Sequence, residues 1–211
     1  DDLVVRHHIS GEITDITIGG TQKGDQCTFG LGLYILKKER LRQLLTDAAS
    51  RNFTHFERDI IQRNLGNLGL YCYLVPEYSA VISSLATYFK ANMALLQPGI
   101  RQQLFRPDRP IYTKVRDCAP AAYGLHASVG NSLVADGARI DGEVENSIVF
   151  RDVQIGRHTR VENSIVMQGT VILQHAKLNC VICDKNMTVR EGSILSGAQN
   201  HPIYVEKGAV V

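Results

Sequence analysis

From about Ser128 the chain repeats at a short fixed step, and that period constrains its fold more than any other feature. Val149, Ile155 and Val161 are spaced by six, as are Val166, Ile172 and Leu178, and Cys183, Val189 and Leu195. The first two runs follow near-identical words, Glu145-Asn-Ser-Ile-Val-Phe150 and Glu162-Asn-Ser-Ile-Val-Met167, which recur after 17 residues. A weaker copy, Leu178-Asn-Cys-Val-Ile-Cys183, follows after 16, and Val134 to Ile140 adds one earlier step. Self-similarity of this kind marks a solenoid, whose repeats bury their apolar faces against one another. Six-residue steps grouped in threes give three short flat strands per turn, hence a triangular prism with aliphatic side chains along its axis. Gly137, Gly142, Gly156 and Gly169 suit the corners, where positive φ is needed.

This pattern resembles the hexapeptide repeat of left-handed parallel β-helices. The chain ahead of it has other periods. Ile13–Ile18, Leu31–Leu36 and Leu70–Val75 are β-rich runs. Leu41, Leu44, Leu45 and Ala48 make one apolar stripe on a helix. Thr54-His-Phe-Glu57 has the form of a capping box for a second helix that buries Phe56, Ile60 and Ile61. A third helix starts near Ser79, carries Ile82, Leu85, Phe89 and Leu96, and ends at Gln97-Pro98-Gly99. The expected organisation is an α/β segment over 1–97, part of a larger sheet, a proline-rich linker over 98–126, and the prism over 127–211. The opening Asp1-Asp2-Leu3-Val4-Val5 falls inside a strand-like run, as expected of the C-terminal part of a longer polypeptide.

Composition excludes several functions. With 44% hydrophobic and 21% charged residues the chain can bury a core. A formal net charge of +2 is no footprint for nucleic acid. No apolar stretch approaches the roughly 18 residues of a membrane span, and nothing at the start reads as a signal peptide. Five irregularly spaced cysteines do not form a disulfide framework, so a reduced, cytoplasmic setting is expected.

Few residue patterns point to chemistry. His158 and His175, 17 apart, would stack on successive coils. Hexapeptide acyltransferases and trimeric carbonic anhydrases use such histidines as a general base or for zinc, but a ladder of solvated corner residues needs no ligand. Arg139, Arg160 and Lys177 each precede a step residue and suggest a basic ridge that holds a phosphorylated effector or faces solvent. Arg101, Arg106, Arg109 and Arg116 form a second cluster in the linker. Cys180-Val-Ile-Cys183 lacks the companions of a zinc site. Gly19-Gly20-Thr-Gln-Lys23-Gly24 fits no phosphate-loop spacing and reads as a turn, and His7-His8 as a surface pair. No catalytic or metal-binding residue follows from spacing alone.

The order of several words carries the reading further. Gly30-Leu-Gly-Leu-Tyr-Ile-Leu36, Phe56-Glu-Arg-Asp-Ile-Ile61, Tyr88-Phe-Lys-Ala-Asn-Met-Ala-Leu-Leu96, Asp108-Arg-Pro-Ile-Tyr-Thr113 and the prism follow one another. In this order they resemble the C-terminal half of the glucose-1-phosphate adenylyltransferase (ADP-glucose pyrophosphorylase) family, most closely its D-type paralogue, the glycogen biosynthesis protein that accompanies the catalytic subunit in Gram-positive bacteria. The resemblance implies the end of a GT-A-like, Rossmann-like nucleotidyltransferase α/β domain followed by the left-handed β-helix. It also implies Mg²⁺-dependent transfer of an adenylyl group from ATP to glucose 1-phosphate, with release of pyrophosphate.

Departures from the family's catalytic words imply that this chain does not catalyse alone. The Glu-Lys-Pro word is replaced by Ile18-Gly-Gly-Thr-Gln-Lys-Gly24, and the Ser-x-Gly-Ile-Tyr word has Gly30 for its serine. Asp-Phe-Gly-Lys-Asp becomes His55-Phe-Glu-Arg-Asp59, leaving Arg58 and Asp59 as the sugar-phosphate positions that carry over. Counting back from Ala91-Asn92-Met93, the metal-binding aspartate of Tyr-Trp-x-Asp-Val-Gly-Thr falls at Val81, which cannot ligate Mg²⁺. The resemblance thus implies a regulatory subunit that contacts a catalytic paralogue in a heterotetramer, or a homo-oligomer, with Arg106, Arg109 and Arg116 as candidates for a phosphorylated effector. An active adenylyltransferase with compensating residues is the alternative, and a stand-alone hexapeptide acyltransferase or carbonic anhydrase an alternative of another class.

Overall fold

The computed structural model describes residues 3–19 and 28–211. They fall into two compact units, Asp1–Pro76 and Glu77–Val211.

The first unit starts with an antiparallel hairpin of β1 (Leu3–His7) and β2 (Ile13–Ile18), with β3 (Thr28–Phe29) on the other side of β1. Val4, Val5 and Ile16 are buried. Helix α1 (Lys38–Ser50) buries Leu44 and Ala48 from the expected stripe, while Leu45 is half exposed. These two pack with Ile60 and the partly buried Leu36, Phe53, Phe56 and Leu68.

The expected second helix is irregular. A π-helical turn, Phe56–Ile61, tightens to a 3₁₀ turn at Gln62–Asn64 and ends in one α-helical turn, α2 (Leu65–Leu68). Thr54 does not cap it. The Asp59 carboxylate accepts the Thr54 and His55 amides at 3.2 and 3.1 Å, so the acceptor comes from inside the turn. The strand-like runs also differ from expectation: Leu31–Leu36 contains no strand, and Leu70–Val75 makes only the Tyr71–Glu12 bridge. Both lack partner strands among the described residues.

In the second unit, helix α3 (Leu85–Ala94) begins later than expected, at a capping box between Ser84 and Thr87. Pro98 does not end the helical region. It occupies the first turn of a further helix, α4 (Pro98–Leu104), where its missing N–H is no loss. The compact units divide at Pro76/Glu77 rather than at 97/98, because α3 packs on the prism.

The prism is a left-handed parallel β-helix of hexapeptide repeats with three five-stranded parallel faces. The step residues point inward: Ile140, Val144, Val149, Ile155, Val161, Val166, Ile172, Leu178, Cys183 and Val189 are all buried in one core. On one face the register Leu133–Ile148–Ile165–Ile182–Tyr204 runs beside the inward row Val134–Val149–Val166–Cys183–Val205. Ile165 and Ile182 of this outer row are also buried, against Phe89, with Tyr88 and Met93 at its margin. The Ile-Val pair in each word therefore serves two surfaces, the axis and the bed for α3. Beside it Ser147, Ser164 and Val181 link successive coils: Ser164 N–H donates to Ser147 Oγ and Val181 N–H to Ser164 Oγ, each at 3.1 Å.

The corners divide between two devices. Gly137 and Gly169 have positive φ as expected, but Asn146, Asp152, His158, Asn163, His175, Cys180 and Asn186 adopt the same conformation. Gly142 and Gly156 are small for a different reason. A Cβ on Gly142 would lie 2.6 Å from the Thr159 carbonyl oxygen, a backbone atom that cannot swing aside.

Candidate functional site

Arg58 and Asp59 lie together in the first unit. The Asp59 side chain is buried, and beyond the two amides it accepts a hydrogen bond from Arg58 Nε at 3.2 Å, with Arg63 at 3.9 Å. The Arg58 hydrogen bond, then the His55 amide, hold its carboxyl near 2. Asp59 is thereby a structural acceptor for the turn, and Arg58, whose side chain is exposed, is already committed to a carboxylate.

Sequence reasoning did not single out the adjoining pair. Tyr34 donates to Glu57 Oε1 at 3.2 Å and meets the Phe56 ring edge-on at 5.3 Å. Burial, then Glu57, push the phenol to about 12. Both residues stand in the words quoted above, Glu57 at the glycine position of the family's pattern. The signal was a carboxylate gained beside Arg58. The two central cationic and anionic side chains of this stretch, Arg58 and Glu57, thus each have an internal partner.

The linker arginines are likewise engaged. Arg106 grips Asp108 through two hydrogen bonds, 2.9 and 2.8 Å, and lies 3.6 Å from Glu77; Arg109 reaches Glu77 at 3.1 Å. The Arg106 hydrogen bond holds the Asp108 carboxyl below the usual carboxylate range. Arg101 donates to the Leu95 and Leu96 carbonyls at 2.7 and 2.8 Å, satisfying acceptors left open by the end of α3. Arg116 is exposed and makes no ion pair among the described residues.

On the prism, Arg139 lies on one face while Arg160 and Lys177 pair on the next, so the three do not form one ridge. Arg160 donates to Glu162 at 2.8 Å and stands in register with Glu143. His158 and His175 do stack, with ring centroids 5.1 Å apart, and His126 joins them at 6.0 Å from His158. Cys183 faces the core, where burial pushes its thiol to about 12; Cys180 sits at a corner. Cys72, Cys118, Cys180 and Cys183 are free thiols. His7 bonds Thr28 Oγ1 at 3.2 Å, and the Gly19–Gly24 turn lies, apart from Gly19, outside the described residues.

The described side chains do not group into a Mg²⁺ site. Val81 offers no oxygen donor, and among the described residues no three His, Cys, Asp or Glu side chains are grouped to hold a metal ion. No helix among them is long and apolar enough to cross a membrane.

Fold and repeat define the class, a hexapeptide β-helix joined to an α/β segment. A family model described as GlmU-like, C-terminal hexapeptide matches residues 119–201. The chain is 37% identical over 180 residues, 85% of its length, to the glycogen biosynthesis protein GlgD of Bacillus subtilis (strain 168), covering 52% of that protein. It is 36% identical over 211 residues, 99% of its length, to the GlgD protein of Geobacillus stearothermophilus, covering 59% of it. A glucose-1-phosphate adenylyltransferase of Thermotoga sp. (strain RQ2) is 36% identical over 136 residues, 63% of this chain and 32% of that protein. The chain spans about half the length of the GlgD proteins it matches. These matches bear out the resemblance: the chain is a relative of the glucose-1-phosphate adenylyltransferase family, its glycogen biosynthesis proteins included.

Proposed function

We propose that the chain is the C-terminal half of a regulatory, noncatalytic subunit of a cytoplasmic glucose-1-phosphate adenylyltransferase assembly in bacterial glycogen biosynthesis. The observation that carries this reading is Val81, an aliphatic side chain at the position that the resemblance assigns to the family's metal-binding aspartate. A divalent cation that neutralises charge in phosphoryl chemistry needs oxygen ligands. The bonding of Asp59 to the Thr54 and His55 amides and to Arg58 supports the same view, since it ties this carboxylate to the turn.

In this role the subunit acts through a catalytic paralogue, in a heterotetramer whose contacts involve the prism. A phosphorylated metabolite serves as effector. Glu77 and Asp108 offset Arg106 and Arg109, whereas Arg101 and Arg116 make no ion pair among the described residues.

The test uses the full-length protein, alone and mixed with a catalytic glucose-1-phosphate adenylyltransferase from the same organism, with pyrophosphate release as readout. The expected result is no turnover alone and a higher kcat or lower KM on mixing. A mixture indistinguishable from the partner by itself overturns the proposal, and turnover by the protein alone favours the active-enzyme reading.

A further inference from the structure

One corner of the prism is built differently in one coil. Four residues turn this corner between Tyr123 and Ser128, between Ile155 and Arg160, and between Ile172 and Lys177. Between Ile140 and Glu143 only Asp141 and Gly142 do. The coils above and below close over the missing pair. His126 and His158 belong to coils two apart, which strand spacing alone would separate by roughly 9–10 Å, yet their ring centroids are 6.0 Å apart. His175 continues the column at 5.1 Å, its plane within 13° of His158. All three rings are exposed.

The charged groups around the column are few. Asp141, in the shortened corner, is occupied by Arg157 Nε at 2.8 Å and the His126 amide at 3.2 Å. Arg190 and Glu191 turn the corner of the last coil, and Glu143, Arg160 and Lys177 begin the strands that follow. A groove of about 420 Å³ runs from this corner along the adjoining face, lined by Arg139, Asp141, Gln154, Leu173 and Gln174. Arg139 makes no ion pair among the described residues.

We propose that the shortened corner and this groove form a proton-gated site for a linear oligophosphate. Imidazole gains its charge as pH falls through the range 8 to 5. Three stacked imidazolium rings would form a column of like charges, and the carboxylate of the shortened corner already serves Arg157. An anion of linked phosphoryl groups matches a linear array of cations, and Arg139, Gln154 and Gln174 add donors along the groove. Anion and protons bind together, each favouring the other. This inference does not depend on the subunit's role in adenylyl transfer.

The probe is tripolyphosphate, titrated calorimetrically into the full-length protein at pH 5.5 and pH 8.0. Binding at least tenfold tighter at pH 5.5, with proton uptake seen as a dependence of the heat on buffer, is expected. The double variant His158→Asn, His175→Asn should lose it, since Asn tolerates the left-handed backbone of both corners and keeps the fold. Histidine NMR signals of the unmodified protein give a second readout, with three imidazoles shifting together on addition of the anion. Equal affinity at the two pH values, absent binding at pH 5.5, unmoved imidazoles, or full binding by the double variant each overturns the proposal.

Discussion

The two units treat apolar residues differently. In the prism the inward positions from Ile140 to Val189 form a single buried column, and even the outer row is buried where α3 lies on it. In the first unit, Leu44, Ala48 and Ile60 form a small cluster, while Leu33, Ile35 and Tyr73 stand in solvent. The cause is where each apolar residue finds its partner. A prism strand pairs with the next coil, which the chain supplies 15 to 22 residues later, as Leu133 with Ile148 or Val181 with Ile203. An open sheet must recruit strands from distant sequence, and this chain spans about half the length of the GlgD proteins it matches. A repeat therefore carries its tertiary contacts within itself.

The largest expected effect tests that contrast directly. Leu178→Ala removes a fully buried side chain from the rigid column, where the cavity cannot collapse, and should cost about 4 kcal/mol. Leu44→Ala opens space in a looser cluster bordered by half-buried neighbours and should cost about 2 kcal/mol. Denaturant titration followed by hydrogen exchange in each unit checks both. Equal costs would break the comparison.

A smaller effect sharpens it. Ser164 Oγ accepts the buried Val181 amide at 3.1 Å and donates to the Glu162 carbonyl at 2.6 Å, so it joins one coil to the next. Ser164→Ala strands that amide without a partner, at a cost of about 1–3 kcal/mol. Hydrogen exchange should accelerate first at Val181. Unchanged exchange there would mean that the serine column adds nothing to the coil stacking.

What could be read in advance follows the same division. The repeated words fixed the inward residues, because a period of six leaves one side chain per strand facing the axis. They did not disclose that Ile165 and Ile182 would be covered by α3, since an Ile-Val pair looks the same whether its outer member meets a helix or water. The shortened corner at Asp141-Gly142 broke the period between Ile140 and Val144, and its consequence, the approach of His126 to His158, needed three dimensions. Arginine count did not disclose the partners of the linker arginines, because Glu77 lies far from Arg109 in sequence yet 3.1 Å away in space. The residues of the His55–Asp59 word were singled out as a group. Their internal bonding was hidden, because a capping acceptor was sought at Thr54 and came instead from Asp59.

That substitution of roles gives the smallest expected effect, confined to the first unit. Asp59 titrates near 2 in the folded chain, against an ordinary aspartate value of about 3.9. A folded value below the unfolded one means that the charged carboxylate stabilises the fold above about pH 4. That contribution declines as the pH falls towards 2, where the folded group also takes up its proton. Asp59→Asn keeps an acceptor oxygen but loses the charge facing Arg58. The variant should therefore be less stable than the parent at pH 6, with the gap closing between about pH 4 and pH 2. Denaturation midpoints at pH 2, 4 and 6, read from amides of 54–61, check the sign. A gap that stays constant across this range would show that Asp59 acts through shape alone, and its charge would drop out of the account of this turn.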